Sequence, residues 1–235
     1  MLVALLVAGM PMKGSGATEM QVVNRWENGV GWIAYPDEEM QRASHAVVGA
    51  EGGVWVVDPV EAEGVDDIID EYGEVEGVVI LLDRHLRDAD AFARRYEVPI
   101  YVPHWMDGVS KKLDAPVEEV HTDLEDSGYG VYKLIDNMVW QEAVMFSEDD
   151  HTLVVPEAVG TSDYFLVGEE RLGVHPALRL KPPRTLRRFD PERIFVGHGA
   201  GISDDAKSAL EGALSGARRR TPRLYAKTVR SMIFG

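Results

Sequence analysis

A chain of 235 residues with 45% hydrophobic and 27% charged side chains has the make-up of one large soluble globular domain. It contains no cysteine, which excludes disulfides, thiolate metal sites and cysteine nucleophiles. No apolar run approaches the roughly 18–20 residues that a bilayer-spanning helix needs. The formal charge of −16 comes from 40 acidic against 24 basic side chains.

Seventeen of the basic residues are Arg and only seven are Lys. An acidic, Lys-poor surface suits solubility in high salt, where screening removes the cost of self-repulsion, so a halophilic source is expected. The charge is uneven. Residues 1–170 hold 35 acidic and 10 basic side chains, and residues 171–235 hold 5 and 14. The basic end is expected to pack on the acidic part of the same molecule. A nucleic-acid partner is not expected, because the total charge opposes a polyanion.

The first residues form a short apolar run, 2–9, followed by Pro11, Lys13 and glycines. They lack the basic n-region of a secretory signal, so residues 1–19 read as an extension and the protein as cytoplasmic. The domain is expected over 20–220. Residues 47–49 and 54–57 are β-branched runs flanking Glu51-Gly52-Gly53, which predicts a hairpin, and the second run ends in Asp58-Pro59. Residues 63–72 read as a helix with Val65, Ile68, Ile69 and Tyr72 on one face, stopped by Gly73. The continuous apolar run 78–82 predicts a strand buried on both faces. A helix is expected at 88–96 and a strand at 99–102.

The middle of the chain reads as antiparallel, with strands at 129–134, 138–146 and 152–155 and an acidic turn at 147–150. Residues 179–191 are a Pro- and Arg-rich loop or short helix. Residues 194–196 form a last buried strand. Ser203 then caps a helix running to about Arg219, with Asp204 and Asp205 in its first turn. Thr221-Pro222 is expected to break it. A basic tail, 221–235, would then dock on the domain through Leu224, Tyr225, Val229, Ile233 and Phe234. Strand-like and helix-like segments alternating along one chain predict an α/β fold.

Four strand ends carry candidate chemistry. Asp58 closes the 54–57 run. The segment Asp83-Arg84-His85-Leu86-Arg87-Asp88 follows the 78–82 strand. Glu157 follows 152–155. His198, between Gly197 and Gly199, follows 194–196. Imidazole and carboxylate ligands together suit Zn²⁺, Fe²⁺ or Mn²⁺.

In this order the four elements resemble the metallo-β-lactamase superfamily, over roughly residues 32–214. That family runs from a hairpin ending in Asp-Pro or Asp-Thr to a strand entering His-x-His-x-Asp-His. A later ligand His, a strand ending in a bridging Asp and a Gly-His turn follow. The resemblance implies a four-layer αββα sandwich and a metal-dependent hydrolase acting on a small-molecule ester, thioester or phosphoester. It implies metal ligands Asp83, His85, Glu157 and His198, Asp58 behind them as an orienting group, and Asp88 and Arg87 beside the chemistry.

The departures are specific. Only His85 survives of the His-rich motif, and Arg87 stands where the family has an Asp that helps hold a second metal. A guanidinium repels a cation. The mid-chain ligand His has no counterpart in Met138-Val139-Trp140-Gln141-Glu142-Ala143. A two-metal site is therefore not expected. Arg87 is expected to pair with Glu157 or Asp88 as a built-in cation. Two outcomes stay open: one Zn²⁺, Fe²⁺ or Mn²⁺, or a metal-free relative that serves as a binding or regulatory module. His45, His104, His121, His151 and His175 read as structural or surface residues.

Overall fold

The computed structural model describes residues 19–234, so the extension 1–18 lies outside the described residues. A first sheet holds seven strands in chain order. They are β1 (Gln21–Trp26), β2 (Gly29–Ile33), β3 (Ala43–Val48), β4 (Val54–Val57), β5 (Val75–Val79), β6 (Ile100–Pro103) and β7 (Val117–Val120). β1 to β4 run antiparallel and β4 to β7 parallel. The switch follows from the connections. The tight turn at Gly52 (φ 90°) reverses the chain between β3 and β4. Helices α1 (Val65–Asp70) and α2 (Ala89–Tyr96) carry the crossovers β4–β5 and β5–β6.

The second sheet has the order β13-β10-β9-β8, from β8 (Tyr129–Asn137), β9 (Trp140–Ser147), β10 (Thr152–Val155) and β13 (Arg193–Val196). A short pair, β11 (Val159–Gly160) and β12 (Gly173–Val174), lies between β10 and β13 in sequence, and a one-turn helix, α3 (Asp107–Ser110), precedes β7. Side-chain alternation sorts the second sheet into two faces. Ala143, Met145, Val154 and Phe195 join the core shared with the first sheet. Val144, Phe146, Leu153, Val155, Ile194 and Val196 join a second core under the long helix α4 (Ala206–Phe234). Helices α1 and α2 cover the first sheet from its other side through Val65, Ile69 and Phe92. The result is the expected four-layer αββα sandwich. No helix among the described residues is long and apolar enough to cross a membrane.

Two expectations change. Met138 and Val139 form an exposed turn between β8 and β9, so the strand starts at Trp140. The helix expected to stop at Pro222 continues to Phe234. Pro222 removes one N–H and leaves the carbonyl four residues back, at Arg218, without its helical donor. Both residues are exposed, so water can serve that carbonyl. Leu224 is buried and Val229 is exposed, and the side chains of Ile233 and Phe234 lie outside the described residues. Basic residues of the last part do pair with acids of the same chain: Arg193 with Asp150, Arg220 with Glu170 and Lys227 with Asp163.

His45 joins the two sheets from β3. Its Nε2 donates to the Val196 carbonyl at 3.0 Å and its ring stacks on Phe195. Burial pushes this imidazole down to about 4 from 6.5. Between those values the unfolded chain takes up a proton that the folded chain refuses. Stability is therefore full above 6.5 and falls as pH drops towards 4, by up to about 3 kcal/mol from this residue. A glutamine keeps the donor and does not titrate. His45→Gln should flatten the decline of the urea midpoint between pH 6.5 and 4 by about one proton's worth. The buried His85, His175 and His198 would leave a residual slope, and an unaltered slope would refute the assignment.

Candidate metal centre

Four strand ends converge where the two sheets meet, and β5 leads into the turn that carries His85. β4 runs into Asp58, whose backbone is in the left-handed region at φ 45°. That turn points its carboxylate inward, where Oδ1 accepts the Leu81 N–H at 3.1 Å and Oδ2 lies 2.9 Å from His85 Nδ1. Burial pushes Asp58 up to about 6, and the nearby Arg87 cation partly offsets this. β10 delivers Pro156-Glu157 and β13 delivers Gly197-His198. Gly197 has no room for a side chain: a Cβ there would lie 2.3 Å from the Pro156 carbonyl oxygen. Gly199 sits at φ 96°, with the Ser162 N–H in the space a Cβ would fill.

His85, Glu157 and His198 are 6%, 8% and 5% exposed, and one ligand atom from each lies within 4.8 Å of the others. Their hydrogen bonds fix which imidazole nitrogens are free. A carbonyl only accepts, so His198 Nδ1, 3.1 Å from the Met40 oxygen, carries the proton. His198 Nε2 then holds a lone pair, and it is buried with no hydrogen-bond partner among the described residues. Asp58 fixes His85 in the same tautomer and leaves its Nε2 3.9 Å from Glu157 Oε2, too far for a hydrogen bond. Burial is the main force holding both imidazoles far below 6.5, so both stay neutral.

Glu157 is held from all sides. Its backbone N–H and that of Ala158 donate to Glu142 Oε1 at 2.9 and 2.7 Å. Glu142 Oε2 takes the Trp140 indole N–H at 2.7 Å, and burial pushes Glu142 up to about 7. Arg84 Nε donates to Glu157 Oε2 at 2.8 Å, and its guanidinium lies 4.2 Å over the Trp140 ring. On the other oxygen, His175 Nε2 stands 3.5 Å from Oε1. His175 Nδ1 accepts the Ala177 N–H, so the proton of this neutral ring is on Nε2. It faces Glu157 as a donor, unlike His85 and His198.

Of the sequence candidates, His85, Glu157 and His198 come together and Asp58 stands behind His85. Asp83 does not join them. Its Oδ2 accepts the Gln141 N–H at 3.0 Å and its Oδ1 pairs with Arg84. Asp88 is also elsewhere, accepting the Glu61 N–H at 2.8 Å. The expected pairing of Arg87 with Glu157 or Asp88 is corrected as well. Its buried guanidinium donates instead to the carbonyls of Ala43, Asp58 and Gly197, tying β3, β4 and β13 together. Burial raises both Asp58 and Glu157, and the Arg87 charge partly offsets that rise.

Sequence reasoning missed His175 and Glu142. His175 gave no signal beyond a Pro after it. Glu142 was visible as a lone acid inside an apolar strand. His104 and His121 stack on each other in the open, and His151 bonds the Asp190 carbonyl, all away from the centre.

No protein-family model matches this sequence, and no curated protein does. Solved structures share the fold. The DIM-1 metallo-β-lactamase superposes with a TM-score of 0.62 at 16% identity, over 88% of this chain and 99% of that one. The metallo-β-lactamase FIM-1 from Pseudomonas aeruginosa, in a mono-zinc form, gives 0.59 at 11% identity over 88% and 98%. The rubredoxin:oxygen oxidoreductase of Desulfovibrio gigas gives 0.62 at 16% identity over 86% and 62%. The chain therefore has the metallo-β-lactamase fold, a fold that carries hydrolases and oxidoreductases alike.

Proposed function

We propose that this protein is a mononuclear metal-dependent hydrolase acting on an ester, thioester or phosphoester. One observation carries the reading. His198 Nε2 is a buried lone pair without a partner among the described residues, aimed with His85 Nε2 at a buried carboxylate. An unsatisfied buried acceptor is costly unless something binds it. Two neutral imidazoles and one carboxylate are a common catalytic donor set for Zn²⁺ and also suit Fe²⁺ or Mn²⁺.

His85, His198 and Glu157 would hold the ion. When bound, it would supply a Lewis acid for a carbonyl or phosphoryl oxygen and lower the pKa of a bound water. The remaining residues prepare the site. Asp58 and the Met40 carbonyl hold the two imidazoles in the ligating tautomer. Glu142 fixes the backbone that carries Glu157. His175 offers its Nε2–H towards Glu157 Oε1. Arg87 supplies positive charge, and its two terminal nitrogens donate to three carbonyls, so it ties the strand ends together in the place of a second metal.

The competing reading, a metal-free binding module, is favoured by Arg84, which already neutralises Glu157. Elemental analysis after metal loading and desalting separates the two. The expected result is about one Zn²⁺, Fe²⁺ or Mn²⁺ per chain, lost in His198→Ala and His85→Ala, with hydrolysis of a model ester, thioester or phosphoester panel lost in parallel. Wild-type protein emerging with no stoichiometric metal would leave the binding module as the function.

A further inference from the structure

Arg84 and a metal ion would need the same atom. Glu157 Oε2 accepts from Arg84 Nε at 2.8 Å and is the oxygen that faces His85 Nε2 at 3.9 Å. A cation bound there would repel the guanidinium, and the two cannot share one carboxylate oxygen at full strength. The two arginines of the motif differ in their freedom to yield. Arg87 is half-buried and fixed by three carbonyls. The Arg84 side chain is 38% exposed, and its other carboxylate partner, Asp83, is partly exposed too.

Arg84 also has somewhere to go. Its guanidinium rests on the Trp140 ring, and that ring is anchored by its own bond to the buried Glu142. The shelf therefore stays in place when the ion pair breaks. His175 borders the same ring, edge-on with centroids 4.8 Å apart, and presents its Nε2–H to the other oxygen of Glu157. A flat guanidinium over an aromatic face, with an imidazole N–H beside it, suits a carboxylate or phosphate group, which it can grip at two points.

We propose that Arg84 hands Glu157 over to the incoming metal and then receives the negatively charged group of the substrate, so that the centre is built for anionic esters, thioesters or phosphoesters. This rests on the metal-site reading above and adds a sign to it. Arg84 opposes metal binding in the resting protein and favours it once an anion is present. By linkage, the anion and the metal then tighten each other's binding.

Equilibrium dialysis of Zn²⁺ against the full chain tests this, at low salt, with and without inorganic phosphate as the anion. Arg84→Gln removes the cation at a part-exposed position and leaves Glu157, His85 and His198 in place. The variant should bind Zn²⁺ about tenfold more tightly than wild type in the absence of phosphate. Phosphate should tighten Zn²⁺ binding several-fold in wild type and change it by less than about twofold in Arg84→Gln. Zinc bound by the variant alone would support the competition still more strongly. If wild type binds zinc and Arg84→Gln binds it equally or less well, the handover is wrong while the metal site stands. An equal phosphate response in both proteins would remove the anion role. If neither protein retains zinc, the metal site itself fails and the handover fails with it.

Discussion

Arg179→Met should lower the stability of the whole domain by about 3–5 kcal/mol, read as a drop in the urea midpoint. Arg179 has no solvent exposure, and Glu170, its partner, is almost as buried. The pair is bidentate, with Nη2 to Oε2 at 2.7 Å and Nη1 to Oε1 at 3.1 Å. Further guanidinium bonds go to the carbonyls of Val174 and Phe165. Methionine fills much of the volume but strands the carboxylate. Glu170 would keep only the Val167 N–H and the part-exposed Arg220, which places the cost nearer the lower figure. Removing the stranded charge as well, in Arg179→Met with Glu170→Leu, should recover a large part of the loss, because an apolar pair avoids the desolvation of both ions. A single variant as stable as wild type, or a double variant no better than the single, would show that the pair does not hold this region. The effect should reach the metal centre. Arg179 ties down Phe165, whose ring stacks on His198 and meets His175 edge-on. Weaker metal retention in Arg179→Met than in wild type is therefore expected even where the protein remains folded.

That residue also marks where sequence reasoning stopped. Residues 179–191 read as a Pro- and Arg-rich loop, and nothing local says that Arg179 is fully buried. Its partner lies nine residues back across the β12 turn. The layers were legible because they rest on periodicity: residues 143–146, 153–155 and 194–196 alternate between two cores, and the run 78–82 is apolar throughout. The strand-end residues Asp58, His85, Glu157 and His198 were legible because each follows an apolar run and is flanked by Gly, Pro or a charged turn. Asp83 failed by the same logic. It leaves the same turn as His85, but its oxygen is claimed by an N–H 58 residues away, which local spacing does not reveal. Pro222 was read by propensity, and exposure of the affected carbonyl overrode it. His175 depends on a backbone N–H two residues on to fix its proton, and only coordinates show that.

Placing an aspartate at position 87, the residue that the resembled His-x-His-x-Asp-His motif would have there, should damage this protein and not give it a second metal. Arg87 donates to the carbonyls of Ala43, Asp58 and Gly197, so three oxygens from both sheets are oriented at a cation. A carboxylate introduced there would face those dipoles and the charges of Asp58 and Glu157, and the nearby cation, Arg42, is already paired with Glu38. Burial holds the Arg87 guanidinium down at about 10, still charged at neutral pH, so its positive field is permanent under working conditions. Arg87→Met removes that field and three charge-assisted bonds, which should cost about 3 kcal/mol. Arg87→Asp adds repulsion to the same loss and should be the least stable of the set. Arg87→Lys keeps the charge but not the fork that spans three strand ends, and should lose about 1–2 kcal/mol. Urea midpoints in the order wild type, Lys, Met, Asp would confirm that position 87 is a structural cation. If Arg87→Asp matched the wild-type midpoint and took up two zinc ions per chain, position 87 would instead be a metal-ligand site carrying an arginine.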